Sequence, residues 1–359
     1  MRLQDAKALP KNHMKTLELF SGVGGLSLGL RRAGFDIVAA VEINRDAAAT
    51  YALHHRDTDV INKDVSSIDF SKFRGAVAAV VGGPPCQPFS LGGLRKGHKD
   101  KRDMLPQFIR CLEVVRPEFF IMENVPGLAT KAAGPYFANV LERFQEIGYR
   151  VNSAILNAAD FGLPQKRRRL FVLGALSSTF RFPMATHGPG LRPYLSAFSV
   201  IHLDKPIGEP PNCSVKYAKF PDLRPSPYAG HVYNGGGRPL DPHGPAHTIL
   251  ASSGGYKTHW VDTEGVAPKY HAHLMAGGSP YDGVVPGARR LSVQECALLQ
   301  TFPLDMIFCG RKSSQYTQVG DAVPPKLAEV IGTSVMAQAR NESAHLTDLK
   351  MVTQEAPAP

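Results

Sequence analysis

From Lys15 to about Phe182, short apolar runs alternate with segments of helical periodicity, and this alternation constrains the fold more than any other feature of the chain. The runs are TLELF (16–20), DIVAAVE (36–42), AVAAVV (76–81), EFFIMEN (118–124), RVNSAIL (150–156) and RLFVLG (169–174). Between them, Leu105, Phe108, Ile109, Leu112 and Val115 fall at helical spacing. Phe137, Val140, Leu141, Phe144 and Ile147 do the same, with Gly148 placed to cap the end. Short strands separated by helices are the signature of a parallel sheet with crossover helices. The expectation is an α/β domain over residues 1–182, built on a doubly wound, mostly parallel sheet.

The texture changes at Pro183. Gly and Pro make up 30 of the 108 residues in 183–290, against 33 of the other 251. The same stretch holds eight of the thirteen histidines and ten Lys/Arg against seven Asp/Glu. It reads as a smaller, loop-rich, mildly basic recognition domain. From Leu291 helical patterns return in SVQECALLQ and PKLAEVIGTSVMAQA, so 291–340 is expected to rejoin the first domain. The polar segment 341–359 is expected to be a disordered or frayed tail.

Composition narrows the partners. A net charge of +10 and a pI near 9.4 favour an anionic partner, nucleic acid before a membrane surface. No stretch approaches the roughly 18 apolar residues of a membrane span, and the N-terminal segment has no apolar core for a signal peptide, so a cytosolic, nucleoid-associated monomer is expected. The five cysteines make no C-x-x-C pair, which supports neither a zinc ribbon nor a disulfide framework. There is no H-E-x-x-H, and His243 and His247 are separated by Gly244 and Pro245, which forbid an aligning helix. Metal binding is not expected.

Four segments carry chemistry. In LELFSGVGGLSLGLRRAGF (17–35) a strand runs into a glycine-rich turn and a helix, where Gly22, Gly24 and Gly25 let backbone approach a ligand. A dinucleotide fingerprint would need glycine at 27, where Ser27 stands, so pyrophosphate binding is weakened. Glu42 closes the next strand, where an acid can take both ribose hydroxyls, so a nucleoside cofactor without pyrophosphate fits best. Asp64 could contact an adenine amino group, though alone it is an ordinary loop aspartate. In VVGGPPCQPFS (80–90), Pro84, Pro85 and Pro88 stiffen the loop around Cys86, which favours a nucleophile over a buried thiol. FFIMENVPGL (119–128) delivers Glu123 and Asn124 to the same sheet edge, and partial burial would raise the carboxyl pKa toward an acid/base range. In DFGLPQKRRRLFVLG (160–174), alternation sends Arg167 and Arg169 to one side and Arg168 to the other, after Gln165. Planar donors there suit a phosphate or a base carbonyl.

FSGVGG, VEIN, GGPPCQPFS, DKRDML, ENVPG, QKRRR, RRLSVQECALLQTFP and QVGDAVPP, in this order, resemble the motifs of DNA cytosine-5 methyltransferases. They cover both flanks of the chain but not the loop-rich zone, whose position is similar to that of the family's target-recognition domain. The resemblance implies that Phe20, Gly22, Gly24, Gly25, Glu42, Asp64, Pro85, Leu105 and Asp321 hold S-adenosylmethionine, without a metal. It implies that Cys86 is the nucleophile toward carbon 6 of cytosine and that Glu123 stabilises the protonated ring nitrogen. On the same resemblance Arg167 and Arg169 would support the active site, with Arg169 donating to the cytosine carbonyl. Gln87, Ser90 and Gln165 contact DNA, and Thr248-Ile249 resembles the family's Thr-aliphatic pair near the flipped base. Arg192, Arg224, Arg238 and Lys257 are candidates for guanine edges, since bidentate Arg and Lys contacts to guanine are the commonest specific ones.

The implied partner is double-stranded DNA, with a separate cognate restriction endonuclease as a compatible second protein. Asp321 stands where the family usually has asparagine, exchanging an amide that donates and accepts for a carboxylate that only accepts. Ser292 stands where threonine is usual, and Asp103 where a small residue is common. Three alternatives stay open: an RNA cytosine-5 methyltransferase of the same family, a weakly catalytic DNA-binding repressor, and a nicotinamide oxidoreductase, which lacks its third glycine.

Overall fold

The computed structural model describes residues 14–85, 103–130, 132–234 and 236–354, with Ser253 and 341–354 as backbone only. Seven strands form one sheet: β1 (Met14–Leu19), β2 (Phe35–Val41), β3 (Asp59–Ile61), β4 (Ala79–Gly82), β5 (Phe119–Asn124), β6 (Arg150–Asn157) and β7 (Arg168–Ala175). Their order is β3-β2-β1-β4-β5-β7-β6. Strands β3 to β5 pair in parallel, while β7 lies antiparallel between β5 and β6. All six expected strands are present within a few residues. The unexpected one, β3, is three residues long at the sheet edge, too short to leave a periodic signal.

Helices cover both faces. On one, α3 (Leu105–Val115) and α4 (Gly134–Glu146) bury Leu105, Phe108, Leu112, Val140 and Phe144 against Leu17, Val80, Phe120 and Met122. As its spacing predicts, α4 ends at Gly148, whose φ of +97° lets Tyr149 N–H reach back to the Phe144 carbonyl at 3.0 Å. On the other face, α1 (Gly25–Arg32) packs against α8 (Pro325–Gln354), with Leu26 and Leu30 meeting Leu327, Ala328 and Ile331. Segment 341–354, expected as a frayed tail, continues α8 as helix; no proline or glycine interrupts it. Helix α2 (Arg45–His54) lies between β2 and β3, and α6 (Val293–Leu299) opens with a Ser292/Glu295 capping box. Between α6 and α8 lies a further helix, α7 (Lys312–Asp321), which ends in QVGD.

The zone 183–290 is more structured than its loop-rich composition suggests. It contains β8 (Lys216–Asp222), β9 (His231–Asn234), β10 (Trp260–Asp262), β11 (Ala288–Arg290) and α5 (Val266–Met275). Val215, Val232, Tyr233, Trp260 and Tyr270 form a small core there. Two-stranded pairs this short are stable only when side chains pack across them, and aromatic residues do so here.

One charged side chain sits inside the apolar run of β1. Glu18 is buried and receives hydrogen bonds from Ser27 of α1 and from Tyr51 of α2, the latter at 3.2 Å, while Ser27 and Tyr51 oxygens lie 2.6 Å apart. The carboxyl thus joins two helices to the sheet. Burial pushes its pKa up from an ordinary 4.5 to about 8, with the Ser27 and Tyr51 hydrogen bonds pulling partly back.

Two stability predictions follow from these contacts. A Cβ on Gly29 would overlap the Pro325 carbonyl oxygen and the Ala328 Cβ. Gly29→Ala should therefore lower unfolding free energy by about 1–3 kcal/mol, read as a lower urea midpoint; an unchanged midpoint would show that α1 and α8 can part at no cost. Between about pH 4.5 and 8 the folded protein keeps a proton on Glu18 that the unfolded chain releases. Stability should fall as pH rises through that window, at up to about 1.4 kcal/mol per pH unit from this one group. Glu18→Gln should flatten that slope in urea unfolding at stepped pH; a slope identical to the parent's would mean the carboxyl is already ionised.

Candidate active site

The strand order reverses on either side of β1, so the crevice of this sheet lies at the carboxyl ends of β1 and β4. Strand β1 ends at Leu19 and the chain turns through Phe20, Ser21, Gly22, Val23 and Gly24 into α1. Phe20 has φ +56°, a left-handed conformation that a bulky side chain adopts only where its surroundings impose it. Gly22 has open space where a Cβ would stand. At Gly24 a Cβ would overlap the His55 imidazole, which stacks on Tyr51 at 4.3 Å. The turn is thus pressed from beneath and open above.

Glu42, just past β2, faces this turn. Its Oε2 accepts the Gly22 N–H at 2.8 Å and its Oε1 accepts the Asn44 N–H at 2.7 Å. Burial raises its pKa, and the backbone hydrogen bonds oppose the rise. Each oxygen keeps acceptor capacity, so the carboxylate can take a pair of hydroxyls while it pins the turn. Asp64 lies in the loop after β3; its Oδ1 accepts the Ser66 N–H at 2.8 Å, which lowers its pKa. The residues present fit a nucleoside cofactor: an open glycine turn, a ribose-suited carboxylate and the exposed side chain of Ile43 beside it.

Across the crevice, β5 delivers Glu123 and β7 delivers Arg169. Because β7 runs antiparallel, its first residues reach the same edge as the last residues of β5, with Glu123 opposite Phe171 in register. Arg169 Nε lies 2.9 Å from Glu123 Oε1 in a largely buried ion pair. Burial raises the Glu123 pKa, while Arg169 and Arg167 draw it down and the Asp321 carboxylate adds to the rise. Asn124 donates to the Pro84 carbonyl at 2.9 Å, and Met104 N–H donates to that of Pro85 at 3.0 Å, so both flanks of segment 86–102 are tied to this edge. Cys86, Gln87 and Ser90 lie outside the described residues.

Arg167 supports the crevice from inside the fold and does not open onto it. It is fully buried, and its terminal nitrogens donate to the carbonyls of Ile249 (2.9 Å), Gly320 (2.7 Å) and Ala322 (2.8 Å). It joins the sheet edge to the zone 183–290 and to the end of α7, and acts through backbone position. Gln165, expected against DNA, is also fully buried: Nε2 donates to the Leu299 carbonyl and Oε1 accepts the Ile249 N–H. The Leu105 side chain, expected at the cofactor, is buried in the sheet core because α3 presents it there. Asp321 closes α7 within electrostatic reach of Glu42 on one side and of Glu123, Arg167 and Arg169 on the other. Glu18 and His55 support the turn from beneath; of the two only Glu18 leaves a mark in the sequence, as a lone acid in the apolar run LELF.

In the recognition zone, Thr248 donates to the Lys166 carbonyl at 2.7 Å, holding 246–249 alongside 164–167. Arg192 and Lys257 are exposed. Arg224 is held by Asp222, and Arg238 by two histidines. Among the described residues no group of three His, Cys, Asp or Glu could hold a metal, and no helix is long and apolar enough to cross a membrane.

The sequence model of the C-5 cytosine-specific DNA methylases matches residues 14–198 and 246–337, leaving out the centre of the recognition zone. The chain is 33% identical over 341 residues to the type II methyltransferase M1.HphI of Haemophilus parahaemolyticus, covering 91% of this chain and 87% of that one. It is 31% identical to M.NgoPII of Neisseria gonorrhoeae, covering 93% and 98%. The S. pombe Dnmt2 methyltransferase has the same fold, with a TM-score of 0.65 at 18% identity over 92% of this chain and 100% of that one. A family model matched over most of the chain, and a relative 33% identical across 91% of it, place this chain in the C-5 cytosine-specific DNA methylase family.

Proposed function

We propose that this protein transfers a methyl group from S-adenosylmethionine to carbon 5 of a cytosine flipped out of duplex DNA at one short sequence, as the modification half of a restriction-modification pair. The observation that carries the reading is the Glu123–Arg169 pair facing the Glu42-pinned turn across one crevice. The type II names of its relatives support the restriction context; the endonuclease would be a separate chain.

Phe20, Gly22, Gly24, Gly25, Glu42, Asp64, Pro85 and Asp321 would hold the cofactor, Glu42 through its ribose hydroxyls. Bound S-adenosylmethionine supplies an electrophilic methyl at its sulfonium. The cytosine ring is a poor nucleophile at carbon 5, so the Cys86 thiolate first bonds to carbon 6 and pushes electron density onto carbon 5. Glu123, with its pKa raised by burial, holds the proton that ring nitrogen gains during this addition. Arg169 keeps that carboxyl in place and has terminal donors for the ring carbonyl. After methylation, loss of the carbon 5 proton breaks the carbon–sulfur bond and returns the thiolate. A stacked base shields both faces from a thiol, so extrusion costs a few kcal/mol, met by contacts from a chain of net charge +10.

The test combines purified protein, methyl-labelled S-adenosylmethionine and mixed-sequence duplex DNA, followed by bisulfite sequencing. Label should appear at one recurring short sequence. Cys86→Ala should abolish transfer while DNA binding persists, and Glu123→Gln should slow it by about 10²–10⁴-fold with the fold intact. Near-parent turnover in Cys86→Ala would overturn the mechanism, and label on RNA but not DNA would overturn the substrate.

A further inference from the structure

In the recognition zone, Asp222, Arg224, Pro225, Ala229, His231 and Arg238 line a cavity of about 460 Å³. Two arginines face it, and they are not equivalent. Arg224 is neutralised by Asp222, whose oxygens receive its Nε and Nη2 at 3.1–3.3 Å. Arg238 has no carboxylate partner among the described residues. Its Nη1 and Nη2 are aimed at His247 Nδ1 (3.4 Å) and His231 Nε2 (3.1 Å). His247 Nε2 lies 2.9 Å from the Tyr228 carbonyl, which fixes the proton there and leaves Nδ1 as an acceptor. Burial holds the His247 pKa below its ordinary value, so the ring stays neutral beside the guanidinium. Of the five donors of Arg238, Nε is buried without a partner, and one N–H remains on each terminal nitrogen. Two donors on an uncompensated cation call for two acceptors.

The backbone of Arg238 is as constrained as its side chain. Its N–H donates to His259 Nδ1 at 3.0 Å, and its carbonyl accepts the Trp260 N–H at 3.1 Å. His259 in turn uses Nε2 toward the Thr248 carbonyl at 3.2 Å. Arg238 is therefore tied twice to 247–248, once through its side chain and once through its backbone. From Thr248 and Ile249 the bonds run on to Lys166, Gln165 and Arg167, hence to the Arg169–Glu123 pair. A group bound at Arg238 is held at a fixed offset from the active site.

We infer that Arg238 is a specificity-determining residue that reads the two-acceptor edge of a guanine at one fixed position relative to the target cytosine. Guanine presents O6 and N7 as adjacent acceptors in the major groove, and arginine is their commonest partner. A phosphate would satisfy the same donors without reading sequence, and the experiment separates the two. The inference rests on the proposed function, since it requires methyl transfer to DNA.

The experiment measures transfer to a randomised duplex library, read by bisulfite sequencing, for the parent protein and for Arg238→Gln. The variant should lose about tenfold or more on the preferred sequence and relax a guanine requirement at one position. As a measurement free of any folding effect, 7-deazaguanine at that position should slow the parent protein by a similar factor and leave Arg238→Gln unaffected. A preferred sequence without an essential guanine would overturn the inference. So would equal slowing of Arg238→Gln on all sequences with a shallower salt dependence, the mark of a phosphate contact, or an unchanged preference. Absence of transfer from the parent protein to any DNA would instead overturn the proposed function and this inference with it.

Discussion

The buried guanidinium of Arg167 holds the site together. An isolated buried cation is expensive, and this one is compensated by three backbone carbonyls from two distant parts of the chain. The Ile249 carbonyl belongs to the recognition zone, and those of Gly320 and Ala322 flank Asp321 at the end of α7. The crevice is therefore closed by segments more than 80 residues away in sequence, all positioned from one strand start. A lysine could not reproduce this, because its three donors diverge from one atom while the planar fork spans two directions.

That arrangement also explains which parts of the protein were legible in its sequence. The sheet was readable because its central strands β4, β5 and β7 are buried almost throughout and appear as apolar runs. Strand β3 was not, since three edge residues carry no period. Gly148 was readable as a cap because its left-handed backbone is a local demand. Helix α5 and the aromatic cluster of Tyr233, Trp260 and Tyr270 were hidden by glycine and proline, whose density reports on turns and not on what packs between them. Among the site residues, alternation correctly sent Arg167 and Arg169 away from Arg168, but alternation cannot say what a side chain meets. Arg169 meets a carboxylate and Arg167 meets carbonyls, a difference set by residues 249 and 320–322. The same limit applies to Gln165: its neighbours in the motif suggested DNA, whereas its partners are Leu299 and Ile249.

The crevice has an uneven charge distribution. Glu42 on the cofactor side and Glu123 on the opposite side both feel Asp321, and burial raises the pKa of all three. Only Glu123 has an arginine in direct contact. Among the described residues the positive charge lies there and no cation touches Glu42, which suits a division of labour. On the proposed function, Glu42 would bind neutral hydroxyls beside the backbone N–H groups it already accepts, for which hydrogen bonds suffice, while Glu123 would need orienting to exchange a proton with a ring nitrogen.

Strand direction ties these elements together. Had β7 been parallel to β5, its opening residues would lie at the amino edge of the sheet, some 20 Å from Glu123 for strands of six to eight residues at about 3.3 Å per residue. The antiparallel insertion lets a turn at 158–167 feed Arg167 and Arg169 directly into the carboxyl edge. The same turn pairs with 246–249, so the zone 183–290 is anchored on residues 164–167, immediately before β7. The Glu123–Arg169 edge and the zone 183–290 consequently share one short piece of backbone. A shift in residues 246–249 on meeting DNA would be felt first by Arg167 and next by the Arg169–Glu123 pair, while the glycine turn, supported from beneath by Glu18, Tyr51 and His55, would stay in place.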